Sequence, residues 1–528
     1  MTTIRRVFLY LASFIGMSVT LAGVFILIGL IVDQGFDAFR GFSVVGSASA
    51  LALIIAGGLT WRFYWRTVQR EAGALREERT AGTRKLYLYG TMTLNLLSAL
   101  LLVQQVLSEL LIRVFDLGLS GYKPWAPLLV AAVLASVWRW HERVAAADQA
   151  AEADGPRGGD LRRGYWFVLT AFGIFGVTGG LTTFITGLLT HLGGEAPASF
   201  FGSGASWMQT LFPPLAQMLV AGFAVWMFWL PSQKLAAAGD ETERASRARW
   251  VLVHLVVFSA ALAALNGAQQ VLTDILSRLL QGSGGDLLVV TIGAPLASLI
   301  VGGLLLWYFF SAVRPTLTTA RLAEYLIAGI ALFIAVFSVQ LLIAMLFQVL
   351  GGAGPRIENL IVNILPGLLV GGGVWRWRWR GLEAEASGSD SASARSYLWR
   401  KVYLYFFQLV GLILILAGAV TILQGVIAAL LGQPISGNAL SALSLPLSFL
   451  LVGSGLLIYM MQLVASDGRL GALSVEQVMQ HTLGDSAPTW AIAAVIAFVL
   501  GPLLSLALLG LLGPAIGNIF NEIIRGIQ

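Results

Sequence analysis

The chain has 528 residues, of which 57% are hydrophobic and only 11% are charged, and its formal net charge is +6. Soluble domains carry charge on about a quarter of their residues, so this composition excludes a soluble protein and indicates a lipid environment. The chain has no cysteine, which excludes disulfides, thiolate metal sites, iron–sulfur clusters and cysteine nucleophiles.

The apolar runs predict an all-α, polytopic integral membrane protein with about thirteen transmembrane helices. A helix needs about 20 apolar residues to cross the hydrocarbon core of a bilayer. The first run extends to Val32, which is too long for a signal-peptide core, so we expect it to remain as the first membrane helix. The predicted spans are residues 6–32, 43–65, 86–112, 125–141 (a short one), 164–191, 208–230, 250–280, 287–312, 322–350, 357–376, 402–431, 439–464 and 490–512.

The basic residues predict the orientation of these spans. With thirteen crossings, 27 of the 33 Lys and Arg residues lie on the side of the N-terminus and six lie on the other side. Cytoplasmic loops are enriched in Lys and Arg. We therefore expect a multi-pass protein of the bacterial inner (plasma) membrane, with its N-terminus in the cytoplasm and its C-terminus outside.

The chain also repeats a unit of about 80 residues. Basic-aromatic helix starts occur at Arg5, Arg84 and Arg400, with weaker versions at Arg162, Arg249 and Arg321. Each start is followed by one helix, a short outer loop and a second helix, which predicts six parallel two-helix hairpins. These are residues 1–75, 76–155, 156–240, 241–316, 317–392 and 393–466; residues 467–528 are expected to add a short cytoplasmic helix, the last transmembrane helix and an interfacial amphipathic tail.

Most of the repeated residues are of types that hold helix ends at the lipid headgroups. Arg and Lys extend their charge to the headgroups, and Trp and Tyr favour the interface. The alternating run from Trp375 to Arg380 is a strong case, and it suggests anionic lipid as a partner. The predicted interfacial anchors are Arg5, Tyr10, Arg84, Tyr89, Arg400, Tyr405, Trp138, Trp307 and Trp375. Second helices also share a proline near the outer end: Pro127, Pro214, Pro295, Pro366 and Pro446.

One polar pattern recurs inside two spans. Gln105 and Glu109 belong to a Gln-Gln-Val-Leu run that is followed by an acid, and Gln270 and Asp274 repeat this pattern in the fourth hairpin. Acidic side chains in spans tend to face a bundle interior or water, so one interpretation is a shared cation-attracting site. The simpler interpretation is that these side chains reach the outer headgroups and bond neighbouring helices, because the acids lie about 30 Å from the basic helix ends at 1.5 Å per residue.

The remaining polar residues do not indicate a catalytic or cofactor site. His254 is the one histidine well inside a predicted span, and no second potential ligand lies at helical spacing from it. The sequence contains no Gly-rich phosphate loop with a lysine, no His-Glu-x-x-His and no Gly-x-Ser-x-Gly. We expect no enzyme activity, no cofactor and no metal, and no nucleic-acid partner because no basic domain stands clear of the membrane.

The starts Arg84-Lys85-Leu86-Tyr87-Leu88-Tyr89 and Arg400-Lys401-Val402-Tyr403-Leu404-Tyr405 are paired with second helices that end in Trp-rich basic runs. This combination resembles a bacterial membrane-domain family of unknown function, built from tandem Arg-x-x-Tyr-Leu-Tyr hairpins. The resemblance covers roughly residues 1–465. It implies a helical hairpin array in the bilayer and carries no activity or site residues.

Two functions fit these observations. A non-catalytic membrane scaffold, or an accessory subunit that contacts other membrane subunits, is favoured by the repeated anchors and the small soluble loops. The alternative is a transporter or channel with a polar path between the hairpins. The two differ in whether Gln105, Glu109, Gln270 and Asp274 converge on one water-accessible cavity.

Overall fold

The computed structural model describes residues 3–34, 43–114, 124–151, 156–193, 207–282, 288–317, 321–352, 357–387, 398–430 and 439–469. Within these ranges the chain is all-α, and no strand is found. The α-helices are α1 (Thr3–Gln34), α2 (Ser43–Ala74), α3 (Arg76–Arg79), α4 (Gly82–Val114), α5 (Trp125–Ala151), α6 (Pro156–Leu192), α7 (Trp207–Ala224), α8 (Leu230–Ala237), α9 (Glu241–Arg244), α10 (Arg247–Gln281), α11 (Leu288–Tyr308), α12 (Arg321–Leu350), α13 (Ile357–Gly367), α14 (Gly373–Ser387), α15 (Leu398–Leu430), α16 (Ala439–Ala442) and α17 (Ser444–Arg469).

Eleven helical segments in the described part of the chain are long and apolar enough to cross a membrane. Together they confirm the prediction of an all-α, polytopic membrane protein. The predicted fourth span forms α5, but this helix does not reach the same apolar length because its basic end begins at Arg139. The predicted thirteenth span, the short helix before it and the amphipathic tail lie outside the described residues.

Consecutive long helices pack against each other in the order of the predicted hairpins: α1 with α2, α4 with α5, α6 with α7, and α10 with α11. Glycines make the closest approaches. A Cβ added at Gly16 would lie 2.6 Å from the backbone nitrogen of Trp61, and one at Gly23 would lie 2.6 Å from the carbonyl oxygen of Ala50. Small residues allow such contact between helix backbones, which compensates for the weak hydrophobic drive between helices in lipid.

The repeated prolines of the second helices take part in the same packing. A Cβ at Gly180, Gly267 or Gly418 in a first helix would lie 2.6–2.9 Å from the carbonyl oxygen of a second-helix proline, respectively Pro214, Pro295 and Pro446. Three hairpins therefore share a glycine–proline crossing, which was not visible from the position of the prolines alone.

Three second helices contain one turn of π-helix. These turns are Val225–Trp229 between α7 and α8, Phe309–Val313 after α11, and Leu368–Gly372 between α13 and α14. A π turn inserts one extra residue and rotates every later side chain around the helix axis. Trp229, at the end of the first of these turns, and Phe309, at the start of the second, are both buried.

The described residues divide into two compact units. The first comprises Met1–Arg380 with Ala417–Val452, and the second comprises the described parts of Gly381–Leu416 and Gly453–Gln528. Within the first unit, α4 also packs against α6 and α7, α6 against α10 and α11, and α10 against α12 and α13. An aromatic-rich core lies at the basic ends of the first three hairpins and includes Tyr10, Trp65, Tyr87, Tyr165 and Phe228.

Candidate functional site

Three arginines are buried inside the protein at the starts of α4, α10 and α15. The exposed fraction is 1% for Arg84, 0% for Arg249 and 1% for Arg400. A buried guanidinium loses its hydration, so it must be paired and hydrogen-bonded within the protein. We call each of these arginines, together with the side chains that accept its hydrogen bonds, an arginine cage.

The first cage joins two hairpins. The guanidinium of Arg84 donates to both carboxylate oxygens of Asp148, from Nε at 2.7 Å and from Nη2 at 3.1 Å. Nη2 also donates to Gln69 Oε1 at 3.3 Å, and Nη1 donates to the Tyr10 hydroxyl at 3.5 Å. Asp148 lies in the last turn of the second helix of the same hairpin, α5, whereas Gln69 and Tyr10 belong to the first hairpin. One arginine thus connects four helices at their basic ends.

The second cage has hydroxyls where the first has a carboxylate. Arg249 donates from Nη1 to Ser232 Oγ at 2.9 Å, and from Nη2 to Thr316 Oγ1 at 3.0 Å and to Gln233 Oε1. Its counter-charge is Glu243, at 3.9 Å, which also lies 4.0 Å from Arg163. The guanidinium carbon is 4.9 Å from the ring centre of Trp229, and Nε is buried with no hydrogen-bond partner among the described residues.

The third cage lies within the second compact unit and repeats the geometry of the first. Arg400 donates to both oxygens of Asp467, from Nε at 2.8 Å and from Nη2 at 3.1 Å. Nη2 also donates to Glu383 Oε1 at 2.8 Å. Two carboxylates therefore face one guanidinium, and the forked pairing with Asp467 is the strong, directional form of an arginine–carboxylate contact.

The three cages use residues at matching sequence positions. The amide or carboxylate acceptor precedes its arginine by 15, 16 and 17 residues, and the acceptor at the end of the following helix comes 64, 67 and 67 residues after it. A buried tryptophan lies four residues before each first acceptor. The equivalent sets are Trp65, Gln69, Arg84 and Asp148; Trp229, Gln233, Arg249 and Thr316; and Trp379, Glu383, Arg400 and Asp467.

Short helices place an additional glutamate at the first two cages. Glu78 in α3 accepts from Arg6 Nε at 2.7 Å, and Glu243 in α9 lies between Arg163 and Arg249. Asp240 caps α9 through the backbone nitrogens of Thr242 and Glu243. Hydrogen bonds from the Thr242 hydroxyl and from these backbone groups lower the pKa of the Asp240 carboxyl.

The predicted interfacial anchors occupy different environments. Arg5 is exposed and pairs with Glu71 at 2.7 Å, while Trp307 and Tyr405 are exposed large aromatics. Other predicted aromatic anchors pack inward. Tyr10 and Tyr89 are buried, and Trp138 donates to the Tyr165 hydroxyl at 2.9 Å.

Trp375 is partly buried against a second core cluster. For Arg84 and Arg400, the expected contact with lipid headgroups is wrong, because both guanidinium groups are enclosed by protein and paired with carboxylates. A basic residue at a helix start has the same local sequence whether it contacts lipid headgroups or is buried against a carboxylate. Only its partner distinguishes the two environments.

The recurring acids pair within their own helices. Glu109 lies 3.6 Å from Arg113, and Asp274 accepts from Gln270 at 2.9 Å. Gln105 and Gln270 are exposed. No hydrogen bond or ion pair between the Glu109 group and the Asp274 group is found among the described residues.

His254 Nδ1 donates to the Trp250 carbonyl oxygen at 2.7 Å, and the His254 ring packs on the Trp250 ring with the centres 4.6 Å apart. No group of three or more His, Asp or Glu side chains with metal-binding geometry occurs in the part of the chain that the structure describes.

The acids of the cages were not singled out from the sequence. Asp148 and Asp467 lie in polar stretches that follow a span, where acidic residues are ordinary. A signal was nevertheless present: each even-numbered basic start is followed by a polar residue 64 or 67 positions later. This signal is detectable only when every second start is compared, that is, Arg84 with Arg249 and Arg400. It is lost when all six starts are treated as equivalent.

A family model described as a domain of unknown function, DUF5671, matches residues 6–136, 198–304 and 321–455. The first and third matches each cover two predicted hairpins. In all three, the last cage acceptor comes twelve residues after the last matched residue, at Asp148, Thr316 and Asp467. No curated protein and no solved structure matches the chain.

Proposed function

We propose that this chain, which belongs to the DUF5671 family of domains of unknown function, is a non-catalytic membrane scaffold or an accessory subunit of a membrane complex. The observation that supports this proposal is the use of the buried charge. The three arginines buried at helix starts connect the ends of neighbouring helices, as Arg84 does by bonding Gln69 and Asp148. Each of these buried charges has a carboxylate within 4 Å, so we take its role to be the joining of hairpins and not the binding of a passing ion.

In this proposal the structural unit is a pair of hairpins joined by one arginine cage. The start Arg-x-x-Tyr-Leu-Tyr marks the second hairpin of a pair at Arg84 and Arg400, where its arginine is the cage arginine. The tyrosine three residues later, Tyr87 or Tyr403, is buried beside it in the helix. We take this motif as the family's signature of a hairpin junction.

The alternative, a transporter or channel, has less support. One cavity of about 540 Å³ opens between α1, α2 and α5. Its hydroxyl-bearing lining residues are Thr20 and Ser136, and both donate to carbonyl oxygens of their own helices at 2.8 Å. Glu109 and Asp274 do not line it. A polar path would require groups free to replace the hydration of a substrate.

The proposal also includes the setting of the scaffold. We place it in the bacterial inner membrane with the cage ends of the hairpins in the cytoplasm, because Lys and Arg are concentrated there. Its partners would be the lipid bilayer and other membrane subunits, with no enzymatic step of its own.

A comparison of matched variants tests the proposal on the full chain, purified in mild detergent from native membranes after crosslinking. Asp148→Asn leaves Arg84 without its carboxylate, so we expect a loss of about 3–5 kcal/mol in the free energy of unfolding and loss of the crosslinked membrane partner. Glu109→Gln and Asp274→Asn should each change that free energy by less than about 1 kcal/mol and retain the partner.

Arg139→Gln is the control for the cage variant, because Arg139 pairs with Glu142 on the surface of the same helix as Asp148. Exposed pairs contribute about 0–1 kcal/mol, so this variant should behave as the wild type. A large, ion-dependent loss of thermal stability in Glu109→Gln or Asp274→Asn would reject the scaffold and favour transport.

A further inference from the structure

Two arginines and two aromatic rings form a cluster that the cages do not use. The guanidinium carbon of Arg378 lies 4.7 Å from the ring centre of Phe310 and 4.1 Å from that of Trp377. The guanidinium carbon of Arg314 lies 5.7 Å from the same Phe310 ring. The cluster therefore brings together the ends of the second helices of the fourth and fifth predicted hairpins.

The charges of this cluster do not balance. Arg314 pairs with Glu324 through Nη2 at 2.7 Å. Arg378 has no ion pair or hydrogen bond among the described residues, and its Nε is buried without a partner. One carboxylate thus faces two guanidinium groups, which leaves one positive charge unbalanced. This charge is on Arg378, whose half-buried side chain packs against the rings of Phe310 and Trp377.

We propose that Arg378, with Arg314 beside it, binds a phosphate group, and that the source of this phosphate is the headgroup of an anionic phospholipid. Stacking on aromatic faces fixes the plane of a guanidinium and leaves the two Nη nitrogens of Arg378 for the two-pronged contact that arginine makes with phosphate. An isolated carboxylate could use the same donors, but the location of the site favours a lipid.

The surroundings of Arg378 match a lipid interface. Trp377 is 64% exposed although it is a large aromatic residue, and Leu369 on the same span is also exposed. Exposed tryptophan beside exposed arginine at the end of an apolar span is typical of the headgroup region. The inference concerns lipid recognition and is independent of the scaffold proposed above.

The test measures the thermal unfolding midpoint of the full chain in mixed micelles. A ligand that binds the folded state alone raises the midpoint in proportion to RT ln(1 + [L]/Kd). We expect phosphatidylglycerol to raise the midpoint of the wild type more than phosphatidylcholine does, and Arg378→Gln to lose most of this difference. Arg378→Lys keeps the charge without the stacked fork and should also lose the larger part of it.

Arg376→Gln is the matched control, because it removes an exposed arginine from the same helix outside the cluster, and it should retain the lipid response. A second arm replaces the lipid with inorganic phosphate. A response to phosphate alone that depends on Arg378 supports the phosphate site with a soluble source. Equal losses in Arg376→Gln and Arg378→Gln would indicate a non-specific effect of charge, and no response to either ligand would mean that no phosphate group binds. Either result would overturn the proposal.

Discussion

At the residue scale, the cages differ in how completely the guanidinium is satisfied. Arg84 and Arg400 each direct Nε and Nη2 at the two oxygens of an aspartate. In the second cage Thr316 occupies the position of that aspartate and accepts from Nη2 only, so Nε of Arg249 is left without a partner. Glu243 supplies the negative charge from a different helix, and it is shared with Arg163.

This difference predicts the effect of a substitution that copies the other two cages. Thr316→Asp should be accommodated and should supply the oxygen that Nε of Arg249 lacks. Thr316→Asn has the same shape without the charge and serves as the control. Because hydrogen bonds to charged groups contribute about 1.5–3 kcal/mol, the aspartate variant should be more stable than the asparagine variant by about that amount in thermal or denaturant unfolding.

An aspartate variant that is less stable than the asparagine variant would show that the second cage is not equivalent to the others. It would also show that Glu243 already fills the electrostatic role of the aspartate, so that a second acid adds repulsion.

At the scale of helices, the hairpins are held by backbone contact at glycines. A Cβ at Gly302 would lie 2.6 Å from the Ala260 carbonyl oxygen and 2.7 Å from the Ala264 nitrogen, whereas one at the adjacent Gly303 would meet nothing within 4 Å. The two glycines have the same helical context, so they separate the effect of packing from that of helix propensity.

We therefore expect opposite results from two neighbouring substitutions. Gly302→Ala should destabilise the protein by about 1–3 kcal/mol, because α10 and α11 must separate to admit the methyl group. Gly303→Ala should be neutral or stabilising by up to about 1 kcal/mol, because alanine favours the helix and meets no neighbour. Unfolding midpoints of the two variants in the same detergent provide the comparison; equal effects would mean that α10 and α11 do not cross at Gly302.

At the scale of the whole molecule, the repeat has two levels. Six basic-aromatic starts follow each other at intervals of about 80 residues, but within the described residues only those at Arg84, Arg249 and Arg400 carry a cage arginine. The three cage arginines are separated by 165 and 151 residues, which is close to twice the spacing of about 80 residues between consecutive starts. The family matches at 6–136 and 321–455 also span two hairpins each. A pair of hairpins is thus the smallest segment that contains a complete cage.

Reporter fusions test the topology of this array. The basic bias predicts that a reporter at Gly239, in the linker between α8 and α9, lies in the cytoplasm and that one at Gly352, after α12, lies outside. A reporter at Gln528 should agree with Gly352 if a thirteenth span is present. Agreement of Gly239 with Gly352 would contradict the hairpin arrangement, and agreement of Gln528 with Gly239 would mean an even number of spans.

The sequence by itself determined the fold class, the positions of most spans and the period of the starts. These depend on local properties: the length of an apolar run and the basic or aromatic residues at its end follow directly from the cost of placing charge in lipid. The fourth predicted span is short for the same reason, because α5 becomes basic at Arg139, before its apolar run reaches the length of the other spans.

The tertiary structure alone decided which arginines are buried and what binds them. Arg5 and Arg84 begin similar helices, yet the first is exposed and the second is enclosed beside Asp148, which is 64 residues away. Desolvation and pairing are properties of the completed packing, because a guanidinium at a helix start can meet headgroups or carboxylates with the same local sequence. The joining of hairpins in pairs follows from that choice, so it could not be obtained from the starts alone.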